Sequence, residues 1–317
     1  MLALTVAAIA SAPVLAPTCA VVDVLRRRRR LPTLRTYLFF LQYLINDSVE
    51  ILAAGPLWLL AGFGKGLDRP SSQRRHQGLQ AWSIRILARR AQQFLGIRIQ
   101  LNEFADSALG SGPAIVICRH VSLLDAALPA LLYLRHDIHT SGVVMAELLA
   151  DPGFDLLYQR AGSVFIPRDS APEAVEVVNR LATNLPTGNV AVIFPEGRLF
   201  RRELLERSLT RMSERDPVRH DRMSQLKHLL PPRAGGFRTL LDALPDADVV
   251  VINHAGLDRY PAFADVARHA PLDKPIQVSV HRVPRAEIPV DAAARTEWLD
   301  TQWLAMDQWV DQTLQLR

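Results

Sequence analysis

From about residue 96 onwards, short apolar runs alternate with segments that have the spacing of amphipathic helices. The runs with strand character read AIVICRH, GVVM, GSVFI, NVAVIF, DVVVINHAG and IQVSVHRV, and glycine, proline or polar residues bound them. Residues 171–185 lie between two of these runs and place Val177, Val178 and Leu181 on one helical face. Strands that alternate with helices predict an α/β fold, with a sheet under helical layers.

Three of the predicted strands are followed closely by a charged or titratable side chain: His120, Arg168 or Glu196. Catalytic residues of α/β sheets lie just past the carboxyl ends of the strands, so these groups are the first candidates for a site. Asp125 follows His120 at a spacing of five. That spacing alone is not specific, because a chain with nine histidines meets it often by chance.

The composition narrows the classes of partner and cofactor. The formal net charge is +5 and the isoelectric point is about 9.6, which suits a partner that carries phosphate, such as an anionic membrane surface or a phospholipid head group. No zinc-finger, RNP-type or helix-turn-helix signature occurs, so no nucleic acid partner is expected. The two cysteines lie in separate apolar runs without a Cys/His cluster, so we expect neither a disulfide framework nor a metal site.

The first 25 residues carry a single charged side chain, Asp23, and are long enough to span a bilayer. No basic region precedes them, which disfavours a cleaved secretory signal. Five arginines follow at Arg26–Arg30, and the positive-inside rule predicts that they and the domain behind them lie on the cytoplasmic side of a membrane. Pro13 and Pro17 weaken a helix here, so an apolar, partly disordered leader is the alternative.

A second apolar region covers residues 37–63 and is interrupted by Asn46, Asp47 and Glu50. Such groups are costly at mid-membrane, which favours a hairpin that dips into one leaflet, or a pair of interfacial helices, over a crossing. Residues 78–95 have the pattern of a basic amphipathic helix. This helix either lies on anionic lipid or packs on the domain with a solvated basic face.

Three sequence blocks follow one another in the α/β part of the chain. The first contains His120 and Asp125, the second is GSVFIPRD at 162–169, and the third is FPEGR at 194–198. This order resembles the glycerolipid acyltransferases, the family that includes the 1-acylglycerol-3-phosphate acyltransferases. The segments LKHLLPPRAGGF and IQVSVHRVP resemble the subgroup that contains lysocardiolipin acyltransferase. The resemblance covers roughly residues 110–290.

The resemblance implies a mixed, largely parallel sheet flanked by helices, with a membrane-associated helical segment before it. It also implies transfer of an acyl group from acyl-CoA or acyl carrier protein to a hydroxyl of a lysophospholipid, 1-acylglycerol-3-phosphate or a related one, with no cofactor. His120 would be the general base that takes the proton of the attacking hydroxyl, and Asp125 would fix its tautomer. The alternative is an aspartate in the first turn of a helix with a bystander histidine.

The second and third blocks supply the predicted substrate-binding residues. Arg168 and Arg198 are candidates to hold the acceptor phosphate, with surface ion pairs as the alternative. Glu196 either holds its turn or binds an acceptor hydroxyl, and Gly197 allows a substrate to approach the backbone closely. The remaining candidates are Gly162, Phe165 and, as a third phosphate contact, Arg233.

The chain also departs from the family pattern. Arg119 stands where the family has asparagine, and it could be a phosphate contact, a change of acceptor preference or a neutral replacement. Arg198 stands one place early, with Leu199 in the usual arginine position. Two other functions stay open, a lipid esterase or thioesterase that uses water as the acceptor and a non-catalytic lipid-binding protein. An acyl-enzyme through Ser122 is disfavoured because the GxSxG elbow is missing.

These features divide the chain into four predicted segments. They are an apolar anchor with its basic flank at 1–35, a membrane-associated helical region at 36–109, the acyltransferase domain at 110–290 and an amphipathic helix at 291–317. Within the third segment, residues 200–228 predict a charged helical insertion. The tryptophans of the last segment either pack on the domain or anchor it at a membrane interface.

Overall fold

The computed structural model describes residues 1–110, 112–146, 149, 153, 158, 162–166 and 174–316. The described helices are α1 (Leu2–Leu25), α2 (Pro32–Leu60), α3 (Pro70–Arg90), α4 (Ala105–Leu109), α5 (Leu128–Tyr133), α6 (Ala174–Thr183), α7 (Arg202–Arg215), α8 (Pro217–Met223), α9 (Ala234–Ala243), α10 (Phe263–His269) and α11 (Ala292–Gln315). The described strands are β1 (Ile99–Leu101), β2 (Ala114–Cys118), β3 (Thr140–Met145), β4 (Val164–Ile166), β5 (Val190–Ile193), β6 (Asp248–Ala255) and β7 (Ile276–Val283).

The chain forms two compact units. The first comprises Met1–Arg98, Val144–Ser170 and Phe263–Pro275. The second comprises Ile99–Val143, Ala171–Ala262 and Ile276–Arg317. The first unit is therefore mainly helical, and the second contains most of the sheet.

Helix α1, in the first unit, is the one helix in the described part of the chain that is long and apolar enough to cross a membrane. Only 6% of its most apolar 18-residue stretch is buried, and Leu4, Val6 and Val14 are among its exposed side chains. Pro13 and Pro17 lie inside the helix without ending it. Such a surface is the one that a membrane-associated helix presents to lipid.

Helix α2 is continuous, so the break that a hairpin in this segment requires is not present. The polar residues that predicted the break are buried between helices. Asn46 Nδ2 donates to Glu50 Oε1 at 2.9 Å and to Ser83 Oγ of α3 at 2.6 Å. Ser48 Oγ lies 2.7 Å from Thr5 Oγ1 of α1. The hairpin prediction was wrong because these groups satisfy one another inside the unit rather than facing lipid.

Helix α3 likewise buries polar side chains and exposes apolar ones. Its buried side is formed by polar and small residues, Ser72, His76, Gln77, Gln80, Ala81 and Ser83. The apolar residues of the predicted amphipathic face are exposed or half-buried, as Trp82 and Ile86 show. The first unit therefore buries polar side chains and exposes apolar ones on all three of its long helices.

The sheet has the strand order β1-β7-β6-β2-β5-β3-β4. β2 lies between β6 and β5 and is parallel to both. β3 is parallel to β5 and β1 to β7, whereas β6 and β7 are antiparallel. This mixed, largely parallel sheet with helices packed against it confirms the predicted fold class.

The centre of the sheet is strand β2. Every residue of AIVIC is buried, because β2 has a neighbouring strand on each edge and both of its faces are covered. An uninterrupted apolar run, rather than alternation, is the pattern that such a strand requires. β2 consequently holds the residues that follow it against a rigid core.

Helix α11 packs on the second unit through its tryptophans. Trp303 is fully buried and its Nε1–H donates to the carbonyl oxygen of Leu230 at 2.9 Å. Trp298 stacks on Phe237 with ring centroids 5.6 Å apart. For these two side chains the packing alternative is correct. The predicted charged insertion is helical as expected, as α7 and α8.

Candidate active site

Three neighbouring strands of the second unit end at the same edge of the sheet. β2 is parallel to β5 on one side and to β6 on the other, and the register pairs Ile117 with both Ile193 and Val251. The residues that follow such strands lie side by side. His120 after β2 and Glu196 after β5 are therefore brought together, as the sequence predicts.

His120 and Asp125 form a hydrogen-bonded pair, with His120 Nδ1 2.6 Å from Asp125 Oδ1. A carboxylate only accepts hydrogen bonds, so this contact assigns the imidazole proton to Nδ1 and leaves a lone pair on Nε2. The side chain of His120 is 17% exposed, whereas Asp125 is fully buried. The pair can accept a proton at Nε2 and stabilise the resulting imidazolium with a buried carboxylate.

The loop after β2 directs Asp125 back towards the imidazole. Asp125 is the first residue of a short 3₁₀ turn that ends at Ala127. Its Oδ2 accepts the backbone N–H groups of Val121 at 2.6 Å and Ser122 at 2.7 Å. These two bonds fix the carboxylate independently of His120. A spacing of five residues therefore suffices for the two side chains to meet.

Glu196 lies directly behind the backbone of His120. Its Oε1 accepts the N–H of His120 at 2.8 Å and its Oε2 accepts the N–H of Leu230 at 2.9 Å. Burial raises the pKa of Glu196 to about 8, although both N–H bonds and the charge of Arg119 oppose this rise. Because backbone groups occupy both oxygens, the geometry supports the alternative in which Glu196 holds its loop. Its contact with an acceptor hydroxyl stays a prediction.

Two exposed arginines lie near the turn after Glu196. Arg198 is within it and Arg233 lies just before α9, where the Arg233 N–H donates to the carbonyl oxygen of Pro195. Gly197 has a φ of +68°, and a Cβ atom at this position would lie 3.4 Å from Arg233 Nη1. Among the described residues, neither Arg198 nor Arg233 has an acidic partner. Partial burial and then the charge of Arg198 lower the pKa of Arg233, which places two mutually repelling cations near each other. An anion bound between them would relieve the repulsion.

Ser122 is buried, and its hydroxyl donates to the carbonyl oxygen of Tyr260 at 2.5 Å. The same oxygen accepts the N–H of Leu124 at 3.3 Å. The hydroxyl is thus part of the loop structure and is not directed at His120. This arrangement does not support the acyl-enzyme alternative.

A second histidine, His254, lies near the Asp125 oxygen that His120 does not contact. Its Nε2 lies 3.6 Å from Asp125 Oδ2 and donates to the carbonyl oxygen of Arg119 at 3.3 Å. Burial lowers the pKa of His254 to about 4, so this second imidazole is neutral at physiological pH. Sequence reasoning missed His254 as a neighbour of the pair, because a single histidine in an apolar strand is typical of a structural residue.

The remaining predicted positions belong to the first unit. Gly162 has a φ of +85° in the turn before β4, and Phe165 is half-buried on that strand. Arg168 lies outside the described residues, so its phosphate-binding role stays a prediction. Within the described part of the chain, no cluster of His, Cys, Asp or Glu side chains has the make-up of a metal site.

A histidine paired with a buried aspartate at the carboxyl edge of an α/β sheet defines a protein equipped for base-assisted group transfer or hydrolysis. The family comparison specifies the class further. Residues 96–255, about half of the chain, match the model of the acyltransferase family. The chain therefore belongs to the acyltransferases, which confirms the family predicted from the three sequence blocks.

The comparison with solved structures agrees on the fold. The crystal structure of the 1-acyl-sn-glycerophosphate (LPA) acyltransferase PlsC from Thermotoga maritima resembles the chain with a TM-score of 0.51. The two are 14% identical, and the match covers 88% of this chain and 98% of that chain. At this identity the likeness shows the fold alone. No curated protein matches the chain.

Proposed function

We propose that this acyltransferase moves a fatty acyl group from a thioester to a hydroxyl of a lysophospholipid, with 1-acylglycerol-3-phosphate as the leading acceptor. The observation that carries the proposal is the His120–Asp125 pair. Nδ1 of the imidazole contacts the carboxylate, so Nε2 is the basic nitrogen that can take a proton from a substrate. The name of the similar PlsC structure, a 1-acyl-sn-glycerophosphate acyltransferase, supports the choice of acceptor.

His120 acts as the general base in this mechanism. Nε2 takes the proton of the acceptor hydroxyl while the hydroxyl oxygen forms a bond to the thioester carbonyl carbon. Collapse of the tetrahedral intermediate breaks the C–S bond, and the thiolate leaves with the proton returned by the imidazolium. Asp125 holds the Nδ1–H tautomer and stabilises the positive charge between the two steps. General base catalysis of this kind contributes on the order of 10²–10⁴-fold.

Arg198 and Arg233 bind the phosphate of the acceptor. Guanidinium groups form forked, charge-assisted hydrogen bonds with phosphate oxygens, and a pair of them matches a dianionic phosphomonoester. Their exposure and their lack of acidic partners in the described residues support this role. Arg168 is proposed as a third contact on the family pattern alone.

The protein acts at a membrane, with the acyltransferase domain on the cytoplasmic side. The exposed apolar surface of α1 supports membrane association, and the five arginines that follow it support the orientation. Both substrates then meet the enzyme at the bilayer surface, where the lysophospholipid resides.

The test is product identification. Membranes that contain the protein are incubated with labelled acyl-CoA, or with labelled acyl carrier protein, and a panel of lysophospholipids that differ in head group. Label transferred to a phospholipid, and absent with His120→Ala, is the expected result. Release of free fatty acid without any dependence on lysophospholipid would instead identify a thioesterase, and the absence of all turnover would favour a lipid-binding protein.

A further inference from the structure

Arg119 is among the largest fully buried side chains of the protein, and it precedes the candidate base directly. Its guanidinium donates to three protein oxygens. Nη1 donates to the carbonyl oxygen of His254 at 2.9 Å, and Nη2 donates to the carbonyl oxygen of His228 at 3.1 Å and to Asp258 Oδ1 at 2.7 Å. Nε has no partner among the described residues, but the side chain is only 1% exposed, so the guanidinium has no open face for a substrate phosphate.

Each segment that Arg119 contacts also contacts the candidate active site. The segment of His228 supplies the Leu230 N–H that Glu196 accepts. The segment of Asp258 supplies the carbonyl oxygens of Tyr260 and Pro261, which accept from the loop between His120 and Asp125. One buried cation therefore connects the strand ends and loops that hold the base and its carboxylate.

The charges around the guanidinium explain why a cation is needed there. Asp125 and Glu196 are buried at this sheet edge, the Asp258 side chain beside them is 19% exposed, and the neighbouring His254 is neutral. Burial raises the pKa of Asp258, but the Arg119 guanidinium and the N–H of Gly256 outweigh it and hold this pKa below its ordinary range. The same charge also opposes the raised pKa of Glu196. Without the cation, Asp258 would be a largely buried anion left with the Gly256 N–H, at 3.0 Å, as its hydrogen-bond partner.

We propose that Arg119 is a positioning residue for acyl transfer, which acts through its buried ion pair with Asp258 on the geometry and electrostatics of the His120–Asp125 pair. The residue does not bind the acceptor phosphate. The proposal rests on the function proposed for His120, and it explains how the chain accommodates arginine where its relatives have asparagine.

A double-mutant cycle tests the ion pair in the full-length protein in lipid nanodiscs. The variants are Arg119→Met, Asp258→Leu and the double substitution, with Arg295→Met as the matched control. Arg295 is a second buried arginine with an aspartate partner, Asp242, and it is not part of the candidate site. For each variant, the measurements are kcat, KM for the acceptor, thermal unfolding and the ¹⁵N chemical shifts of the His120 ring, which report its contact with Asp125.

We expect Arg119→Met to lower kcat on the order of 10- to 100-fold, as misplacement of a catalytic group does, and to leave KM for the acceptor unchanged. Displacement of the pair also changes the ¹⁵N chemical shifts of the His120 ring. The double variant removes the unpaired anion as well, so its ring shifts, kcat and unfolding temperature return towards the wild-type values. Arg295→Met lowers the unfolding temperature without changing the ring shifts.

Other outcomes would overturn the proposal. If Arg119→Met raises KM for the acceptor at constant kcat, Arg119 is a substrate contact. If the double variant is as impaired or as poorly folded as Arg119→Met, the ion pair is not what the arginine provides. The ring-shift and unfolding measurements need no turnover, so a failure of the proposed reaction is distinguishable from a failure of the positioning role.

Discussion

Replacing Asp125 with asparagine changes one carboxylate oxygen to an NH₂ group. This substitution should disturb the orientation of the His120 imidazole without preventing folding, so it tests the two roles of Asp125 separately. In the protein, Oδ2 accepts two backbone N–H groups at 2.6 and 2.7 Å while Oδ1 accepts the proton of His120 Nδ1 at 2.6 Å. An amide that keeps its oxygen towards Val121 and Ser122 directs its NH₂ group at Nδ1. Nδ1 must then accept, so the imidazole proton moves to Nε2 and the base can no longer take a proton there.

The opposite orientation of the amide is higher in energy, because it places the NH₂ group against the N–H donors of Val121 and Ser122. We therefore expect Asp125→Asn to fold, to lower kcat on the order of 10²–10⁴-fold and to leave KM for both substrates nearly unchanged. Initial rates with labelled acyl-CoA measure the kinetic effect, and ¹⁵N shifts of the His120 ring report the tautomer. Asp221→Asn, at an exposed position outside the site, is the control. Wild-type kcat, or a ring that keeps its proton on Nδ1, would refute the orienting role.

Four further substitutions test other parts of the structure. Arg198→Ala and Arg233→Ala should each raise KM for a phosphate-bearing acceptor roughly 10- to 100-fold, the equivalent of one charge-assisted hydrogen bond, and leave KM for an uncharged monoacylglycerol unchanged. Burial lowers the pKa of His254 to about 4. Between pH 6.5 and 4 the unfolded chain therefore binds more protons at this group than the folded chain does. As the pH falls through this range, the free energy of unfolding should fall by up to about 3 kcal/mol because of His254. Denaturant unfolding at several pH values should show this pH dependence in the wild type and a smaller one in His254→Leu. An equal pH dependence in the two proteins would exclude His254 as its source. Trp303→Ala should cost about 3–5 kcal/mol in the same measurement, because it leaves a large cavity and removes the bond to the Leu230 carbonyl, whereas a loss under 1 kcal/mol would contradict its packing role.

Local patterns were sufficient to predict the strands that carry the candidate site. The run at 114–118 is apolar at every position, and β2 is buried at every position. Proline and glycine in FPEGR mark the end of β5, where the left-handed φ of Gly197 is found. In these segments the chemistry of neighbouring residues decides the backbone, so the sequence contains the necessary information.

The first unit was harder to predict because its helices bury polar side chains and expose apolar ones. Asn46 and Glu50 in an apolar segment suggest a break, yet both lie inside the unbroken helix α2. Asn46 donates a hydrogen bond to Ser83, which is on another helix and 37 positions away in the sequence. The cost of a buried polar group depends on its partner, and no local pattern identifies a partner on a distant helix.

The same limit applied to Arg119, whose partner Asp258 is 139 positions away in the sequence. The sequence showed that Arg119 is unusual, and it left phosphate binding, a change of acceptor preference and neutral replacement open. Burial and the acidic partner distinguish these possibilities, and both are properties of the folded chain.

Exposure divides the residues of the candidate site into two groups with different expected effects. Asp125, Glu196 and Arg119 are fully or almost fully buried and hold backbone groups or side chains of the protein. His120 is partly exposed, and Arg198 and Arg233 are exposed. A buried group can influence an acyl transfer only through the position and charge of its neighbours, so its replacement should change kcat, the pH profile and stability. An exposed arginine meets the acceptor itself, so its replacement should change KM. His120 alone has both a buried partner and an open face, which is what a base that accepts a proton from a substrate requires.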